Sequence, residues 1–311
     1  MEKHAFKSAF IALIGRPNSG KSTLMNAIIG ENLSIVTSVP QTTRRNIKGI
    51  YSCESMQLVF VDTPGIHEGK HAFNKFMVQE STSVLKSGEV DLLCYLVDLA
   101  RPFGEEEDFI AGIISTVSLP IFVFFTKMDL CSRYSEKIEE FHQRYPGLRK
   151  VPGLPINATG SKAKSVFLDL LQPYVPEGPA YYPAEDLTDE NLRFFAGEYL
   201  RKHIIHRTIR EVPHATFVEI ESYTELENRH KIEATIHVET KGQRGIIIGP
   251  GGKQIDRIRK ATERDMYQLT GMRASLKCHV KVTPKWRQDS RFLREMGYEP
   301  VSKNGKSYQT R

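Results

Sequence analysis

One stretch constrains this chain more than any other: Phe10-Ile-Ala-Leu-Ile-Gly-Arg-Pro-Asn-Ser-Gly-Lys-Ser-Thr23. It reads as an apolar strand, a glycine-bounded loop and the start of a helix. Residues Gly15 to Ser22 fit G-x-x-x-x-G-K-[ST], a spacing that cradles phosphate. Gly15 and Gly20 let the main chain curl and approach a phosphate with no Cβ in the way. The loop's N–H groups, together with the positive end of the helix after Lys21, make an anion site. Lys21 can reach the β- and γ-phosphates and Ser22 can offer its hydroxyl to Mg²⁺. Arg16, Pro17, Asn18, Ser19 and Thr23 complete the expected contacts of this loop.

The residues around and beyond this loop suit an α/β domain with a mostly parallel sheet and helices on both faces. Near-continuous apolar runs at Ala9–Gly15, Leu58–Asp62, Leu92–Asp98 and Ile121–Thr126 alternate with helix-like segments at Lys21–Gly30, Asn74–Lys86, Glu105–Ser115 and Ser135–Tyr145. Such sheets bind ligands beyond the carboxyl ends of their strands, where the glycine loop falls. At another strand end stands Asp62-Thr-Pro-Gly65. Asp62 there can hold Mg²⁺ through water, facing Ser22, and Gly65 can give an N–H to a γ-phosphate. Thr63, Pro64 and Ile66 belong to the same expected loop. Between the two motifs, Pro40-Gln-Thr-Thr-Arg-Arg45 suits a switch segment whose hydroxyl meets Mg²⁺. Thr43 is the expected ligand, with Thr42 the alternative.

Thr126-Lys-Met-Asp129 closes a buried strand. The carboxylate of Asp129 can accept both N1–H and the exocyclic N2–H₂ of guanine, a pair adenine lacks, and the stem of Lys127 can lie over the base, with Met128 between them. Guanine-binding proteins usually carry Asn before that lysine, to brace the phosphate loop. The shorter Thr126 is expected to loosen the pocket. In Pro155-Ile-Asn-Ala-Thr-Gly160, Ala158 can present its N–H to guanine O6 between Asn157 and Thr159, although a plain strand-end turn reads the same residues.

Taken in order, G-R-P-N-S-G-K-S, Q-T-T-R, D-T-P-G and T-K-M-D resemble the Era family of GTPases, and the resemblance extends over the whole chain. It implies GTP and GDP as ligands with Mg²⁺, hydrolysis of GTP to GDP and phosphate, and catalytic roles for Lys21, Thr43 and Gly65. Ile66 stands where Ras-like enzymes carry a water-orienting Gln, so slow intrinsic hydrolysis is expected. Asn18 resembles the asparagine of GTPases that bind K⁺ beside the phosphates. His67 and His71, four residues apart, read as surface histidines rather than a metal pair.

Residues 173–190 hold four prolines and a cluster of acids, as a boundary or semi-rigid linker would. Beyond it, a helix over Asn191–Arg210 and strands over Ala215–Ser222, Lys231–Glu239 and Leu276–Thr283 bracket Gly249-Pro-Gly-Gly252. That G-x-x-G between helices, with Pro250 and Gly251 at its tip, suits the loop of an RNA-binding KH module. Lys253, Arg257, Lys260 and Arg264 recur along one helix face as a basic stripe. Ile255, Ile258, Thr262, Met266 and Leu269 mark its expected buried side. The order of elements resembles the type-II KH domain of the Era family. The expected division is 1–175 G domain, 176–190 linker, 191–285 KH domain and 286–311 basic tail; Trp286 could stack on a base or fill a core gap, and the sequence favours core.

Charge separates the halves. Residues 1–190 hold 19 basic and 23 acidic side chains, and residues 191–311 hold 24 and 14. An excess concentrated in the later part points to nucleic acid or an anionic membrane surface. The four cysteines form no C-x-x-C pair, which argues against a disulfide framework or zinc site and for a reducing, cytoplasmic compartment. The opening residues lack a signal peptide's apolar core, and no run is long enough to span a bilayer. By the resemblance, the partner is the 3′ region of small-subunit ribosomal RNA, the role is assembly of the small ribosomal subunit, the protein acts as a monomer, and peripheral contact with the inner membrane is an added expectation. Thr126 and Ile66 keep open a rival, an RNA-binding scaffold with a weakly active G domain. Asp129 argues against a P-loop kinase or ATPase.

Overall fold

The computed structural model describes residues 5–37, 39, 42–66, 72–149 and 151–298. Pro40, Gln41, His67, His71 and the tail beyond residue 298 lie outside them. The described residues form two compact units, one made of most residues up to Asp189 and the other chiefly of those from Glu190.

The first unit runs β1 Lys7–Gly15, α1 Lys21–Ile29, β2 Ile47–Cys53, β3 Met56–Asp62, α2 Ala72–Lys86, β4 Leu92–Asp98, α3 Glu105–Ile114, β5 Ile121–Thr126, α4 Tyr134–Arg144, β6 Gly153–Pro155 and α5 Ala163–Leu171. Its sheet has the order β2-β3-β1-β4-β5-β6, and only β2 runs antiparallel. Every residue of β3 and of β4 is buried, because helices cover both faces. These strands therefore read as near-continuous apolar runs, 58–61 in β3 and 92–97 in β4. The edge strand β2 mixes polar and apolar residues (Ile-Lys-Gly-Ile-Tyr-Ser-Cys), and the three-residue β6 is too short for a pattern. Neither carries that signal.

Residues 173–190, expected as a linker, are held against this unit. Ser8 N–H donates to Pro176 O (3.1 Å), Gly178 N–H to Phe6 O (3.0 Å), and Ile50 N–H to Leu187 O (2.8 Å). Gln57 Oε1 accepts from the N–H groups of Tyr181 (2.7 Å) and Tyr182 (3.0 Å). The segment thus satisfies outward backbone groups of the edge strand β2, which would otherwise be left unpaired.

The second unit runs α6 Leu192–Arg207, β7 Phe217–Leu226, β8 Arg229–Val238, α7 Lys241–Ile248, α8 Lys253–Thr270, β9 Arg273–Val282 and α9 Ser290–Glu295. The sheet order is β7-β8-β9, with β7 antiparallel and β9 parallel to β8. Asn191 caps α6 by accepting from Phe194 N–H (2.9 Å), and Thr240 with Gln243 closes a capping box on α7. Three expectations are corrected. The helix expected to reach Arg210 stops at Arg207: Thr208 turns extended (φ −128°, ψ 157°) and its hydroxyl donates to Ile204 O, while Arg210 is left-handed at φ 58°. The strand expected from Ala215 begins at Phe217, and its register shifts between Ile220 and Ser222. Leu269, expected on the buried side of α8, is 40% exposed in the last turn, whereas Ile258, Thr262 and Met266 are fully buried. Trp286 is fully buried among Phe217 and Phe292, and its indole N–H donates to Ala215 O (2.8 Å). It fills core, as the sequence favours.

Candidate functional site

Between β1 and α1 the loop holds its lysine from beneath. Lys21 is buried, and its Nζ donates to Gly15 O (3.1 Å) and Arg16 O (2.9 Å). Burial pulls its ammonium down to about 8, and the carboxylates of Asp62 and Glu107 oppose the fall. Asn18 at φ 64° and Gly20 at φ 98° give the alternating backbone of an anion nest. Ser19 is buried, with no hydrogen-bond partner for its hydroxyl among the described residues, and Thr23 is half-buried in the first turn of α1. The Arg16 side chain turns away from the loop's concave side. Its guanidinium meets Glu106 (2.7 Å) and the fully buried Glu107 (2.9 Å), so only its main chain faces an expected phosphate.

Asp62, at the end of β3, is fully buried and gathers hydroxyls. Its Oδ2 accepts from Ser22 Oγ (2.6 Å), Ser34 Oγ (2.8 Å) and Thr43 Oγ1 (3.5 Å), and the Ser22 and Thr43 oxygens are 3.1 Å apart. Its Oδ1 is buried with no hydrogen-bond partner among the described residues. Burial raises this carboxyl above its usual range, against the pull of Lys21 and the three hydroxyls. The Thr42 hydroxyl instead donates to Val39 O (2.6 Å). An all-oxygen set with one orphaned carboxylate oxygen fits a hard dication such as Mg²⁺. Among the described residues no group of three or more His, Cys, Asp or Glu could hold a metal.

Past Asp62, Thr63 donates its hydroxyl to Leu13 O (2.7 Å), and Pro64 O accepts from Ser81 Oγ (2.7 Å). Gly65 is required by close approach: a Cβ there would lie 2.5 Å from Pro17 Cα. Ile66 is fully buried in the hydrophobic core beside Ala12, Ile14 and Tyr95, and its N–H donates to Gly15 O (3.1 Å). A cavity of about 430 Å³ joins Lys21, Ser22, Thr43, Gly65 and Lys127.

On the expected base side, Thr126 does what the shorter side chain was not expected to do. Its hydroxyl donates to Ser19 O (2.7 Å), with Val97 O at 3.1 Å, and so ties the end of β5 to the phosphate loop. Lys127 is left-handed (φ 57°), and its Nζ is anchored on the fully buried Asp98 (2.7 Å). Met128 packs half-buried against the core, and Asp129 stands exposed in the short turn Met128–Leu130. Asn157 Oδ1 accepts from Thr159 N–H (3.1 Å) and Thr159 Oγ1 (2.8 Å), a turn that leaves Ala158 buried. Ala158, Thr159, Thr23 and Asn26 line a second cavity of about 370 Å³, which shares Thr23 and Val36 with the first.

Sequence reasoning missed Ser34, Asn26, Asp98 and Glu107. Asn26 Nδ2 donates to Ser34 O (2.8 Å), and its Oδ1 accepts from Ser34 N–H (3.0 Å), pinning the switch segment to α1. None of these residues belongs to a short motif, and only their convergence in space shows them.

In the second unit, Gly249, Gly251 and Gly252 all have positive φ (71°, 56° and 76°), and Pro250 and Gly251 are exposed. A Cβ on Gly249 would lie 2.5 Å from Gln254 Cβ, whereas one on Gly251 or Gly252 meets nothing within 4 Å. Lys253, Arg257, Lys260 and Arg264 are all exposed along α8. Lys260 pairs with Asp256 (2.8 Å), which tempers the stripe at that point.

A family model described as a 50S ribosome-binding GTPase matches residues 10–127, and a KH-domain model matches residues 211–287. A structure of Era in complex with MgGDPNP and nucleotides 1506–1542 of 16S ribosomal RNA is 29% identical. The match covers 94% of this chain and 99% of that one, with a TM-score of 0.87. A variant of Era from Aquifex aeolicus bound to GDP and aluminium fluoride is 30% identical over the same shares, with a TM-score of 0.86. The chain belongs to the Era family. As an Era-family chain, it joins a P-loop G domain to a KH domain, and the likeness runs through both units.

Proposed function

We propose that this protein binds guanine nucleotide with Mg²⁺ in the cleft between the glycine loop and Asp62, hydrolyses GTP, and binds the 3′ region of small-subunit ribosomal RNA through its KH domain during assembly of the small ribosomal subunit. The observation that carries the reading is the convergence of Ser22, Ser34 and Thr43 on Asp62, whose second oxygen is buried without a partner among the described residues. When bound there, Mg²⁺ neutralises the charge that develops on the phosphate oxygens. Ser22 and Thr43 would hold it directly and Asp62 through water. Lys21 binds the β- and γ-phosphates, and the Gly65 N–H orients the terminal one. Asp129 selects guanine, with Ala158 N–H at its O6 and Lys127 along the ring face. The hydroxyl of Thr126 spans to the phosphate loop, which weighs against the scaffold with a degenerate G domain. Relatives whose structures hold MgGDPNP with ribosomal RNA, and GDP with aluminium fluoride, support the same ligands here.

Ile66 lies in the core and offers no side chain to a nucleophilic water, so slow turnover is the expectation. K⁺ beside Asn18 would supply the positive charge that an arginine finger otherwise brings. Phosphate release by the full chain, with GTP or ATP and Mg²⁺ in KCl or NaCl at equal ionic strength, tests the reading. The expected result is many turnovers with GTP, none with ATP, and faster release in KCl. No release from GTP in either salt would leave the scaffold reading standing.

A further inference from the structure

Beneath the phosphate loop lies a buried charge cluster to which the nucleotide reading gives no role. Glu107, on α3, is fully buried. Its Oε2 accepts from Arg16 Nη1 (2.9 Å), and its Oε1 accepts from the Tyr95 hydroxyl on β4 (2.7 Å). Arg16 also donates to Glu106 (2.7 Å) and to Pro102 O (3.0 Å). Arg101 donates from one arm to Pro17 O (3.1 Å) and from the other to Glu106 (3.2 Å). The side chain of residue 16 and the carbonyl of residue 17 are thus gripped from the convex side, by groups in the 95–107 region.

Residues 15–17 are also where the reactive groups take their bearings. Lys21 Nζ rests on the carbonyls of Gly15 and Arg16, and Ile66 N–H rests on Gly15 O. Pro17 fills the space that a Cβ on Gly65 would need. A shift of this tripeptide therefore moves both the lysine and the Gly65 amide. Building a fully buried carboxylate into a fold is costly unless it is paired and hydrogen-bonded, and here both oxygens are used.

We propose that Glu107 is a positioning residue for GTP hydrolysis: through Arg16 it sets the main chain of residues 15–17, and so the alignment of Lys21 and the Gly65 N–H on the γ-phosphate. The inference rests on the proposed GTPase reading. GDP keeps the β-phosphate contact of Lys21 but lacks the γ-phosphate that the Gly65 N–H meets, so the effect falls more heavily on turnover than on GDP affinity. Misplacement by about 1 Å is enough to cost up to about a hundredfold in rate.

The test uses the full chain with four variants. Glu107→Gln keeps the shape and removes the charge, and Tyr95→Phe removes one hydrogen bond to the same carboxylate. Asp108→Asn, one residue on and exposed in a pair with Arg144, is the neighbouring control. Arg16→Lys keeps the charge but loses the fork. The expected result is kcat for GTP lowered about tenfold or more in Glu107→Gln, GDP Kd within about threefold of wild type, a smaller fall of the same kind in Tyr95→Phe and Arg16→Lys, and no change in Asp108→Asn. Unchanged kcat in folded Glu107→Gln overturns the proposal, as does an equal loss of kcat and GDP affinity, which marks general disruption. If Glu107→Gln does not fold, Tyr95→Phe decides, and wild-type kcat there overturns it. A wild-type chain that fails to hydrolyse GTP fails the GTPase reading instead, which keeps the two apart.

Discussion

Threonine at residue 126 shows how a side chain's role depends on where its atoms fall. The sequence alone suggests a pocket loosened by the missing amide, yet the hydroxyl reaches Ser19 O at 2.7 Å inside a fully buried site. Replacing it with valine keeps the volume and leaves that carbonyl unsatisfied, a loss of about 1–3 kcal/mol. Thr126→Val is therefore expected to release GDP roughly tenfold faster, since about 1.4 kcal/mol is one decade. Stopped-flow displacement of a fluorescent GDP measures it, and an unchanged off-rate would mean the hydroxyl does not brace the loop. Ile66 makes the complementary point. A hydrocarbon in that position reads as a missing catalytic group, and its full burial beside Ala12, Ile14 and Tyr95 accounts for the choice as core packing.

Among the elements, α8 was legible for a simple physical reason. A basic stripe at helical spacing and an apolar one opposite it arise from 3.6 residues per turn, so Lys253, Arg257, Lys260 and Arg264 come out on one exposed side. Its end was not legible, because Leu269 lies in a last turn that leaves it 40% exposed, and no periodicity reveals where cover stops. The loop before α8 separates its glycines by task. Gly249 is closed to any Cβ by Gln254, but Gly251 and Gly252 have room. Replacing those two with aspartate, which tolerates positive φ, sets negative charge where a sugar–phosphate backbone would lie. RNA affinity is expected to fall at least about tenfold with GTP turnover unchanged, measured by filter binding beside phosphate release. Undiminished RNA binding would move the interface away from this loop.

Across the whole molecule, charge and chemistry divide in the same way: a slightly acidic nucleotide-binding half and a basic half with a KH loop. If the first works as a switch for the second, RNA affinity of the full chain should differ between GDP and a non-hydrolysable GTP analogue. Equal affinities in the two states would make the halves independent binders. The segment over 176–189 bears on the same question. Its prolines suggested a spacer, but its backbone and side chains are tied to β2, β3 and the start of β1. Those bonds join residues more than a hundred positions apart, which no local pattern encodes.

Sequence by itself determined the parts whose chemistry is local: the glycine loop, the Asp62 and Asp129 motifs, the apolar strands, the G-x-x-G turn and the charge contrast. Each depends on residues within a turn or a strand of one another, so spacing is enough to read them. Only the tertiary structure decided which hydroxyls meet Asp62, that Thr43 rather than Thr42 is among them, that Thr126 reaches the phosphate loop, and that Glu107 grips it from beneath. Those are contacts across the sheet between distant segments, fixed by packing rather than by neighbours in the chain.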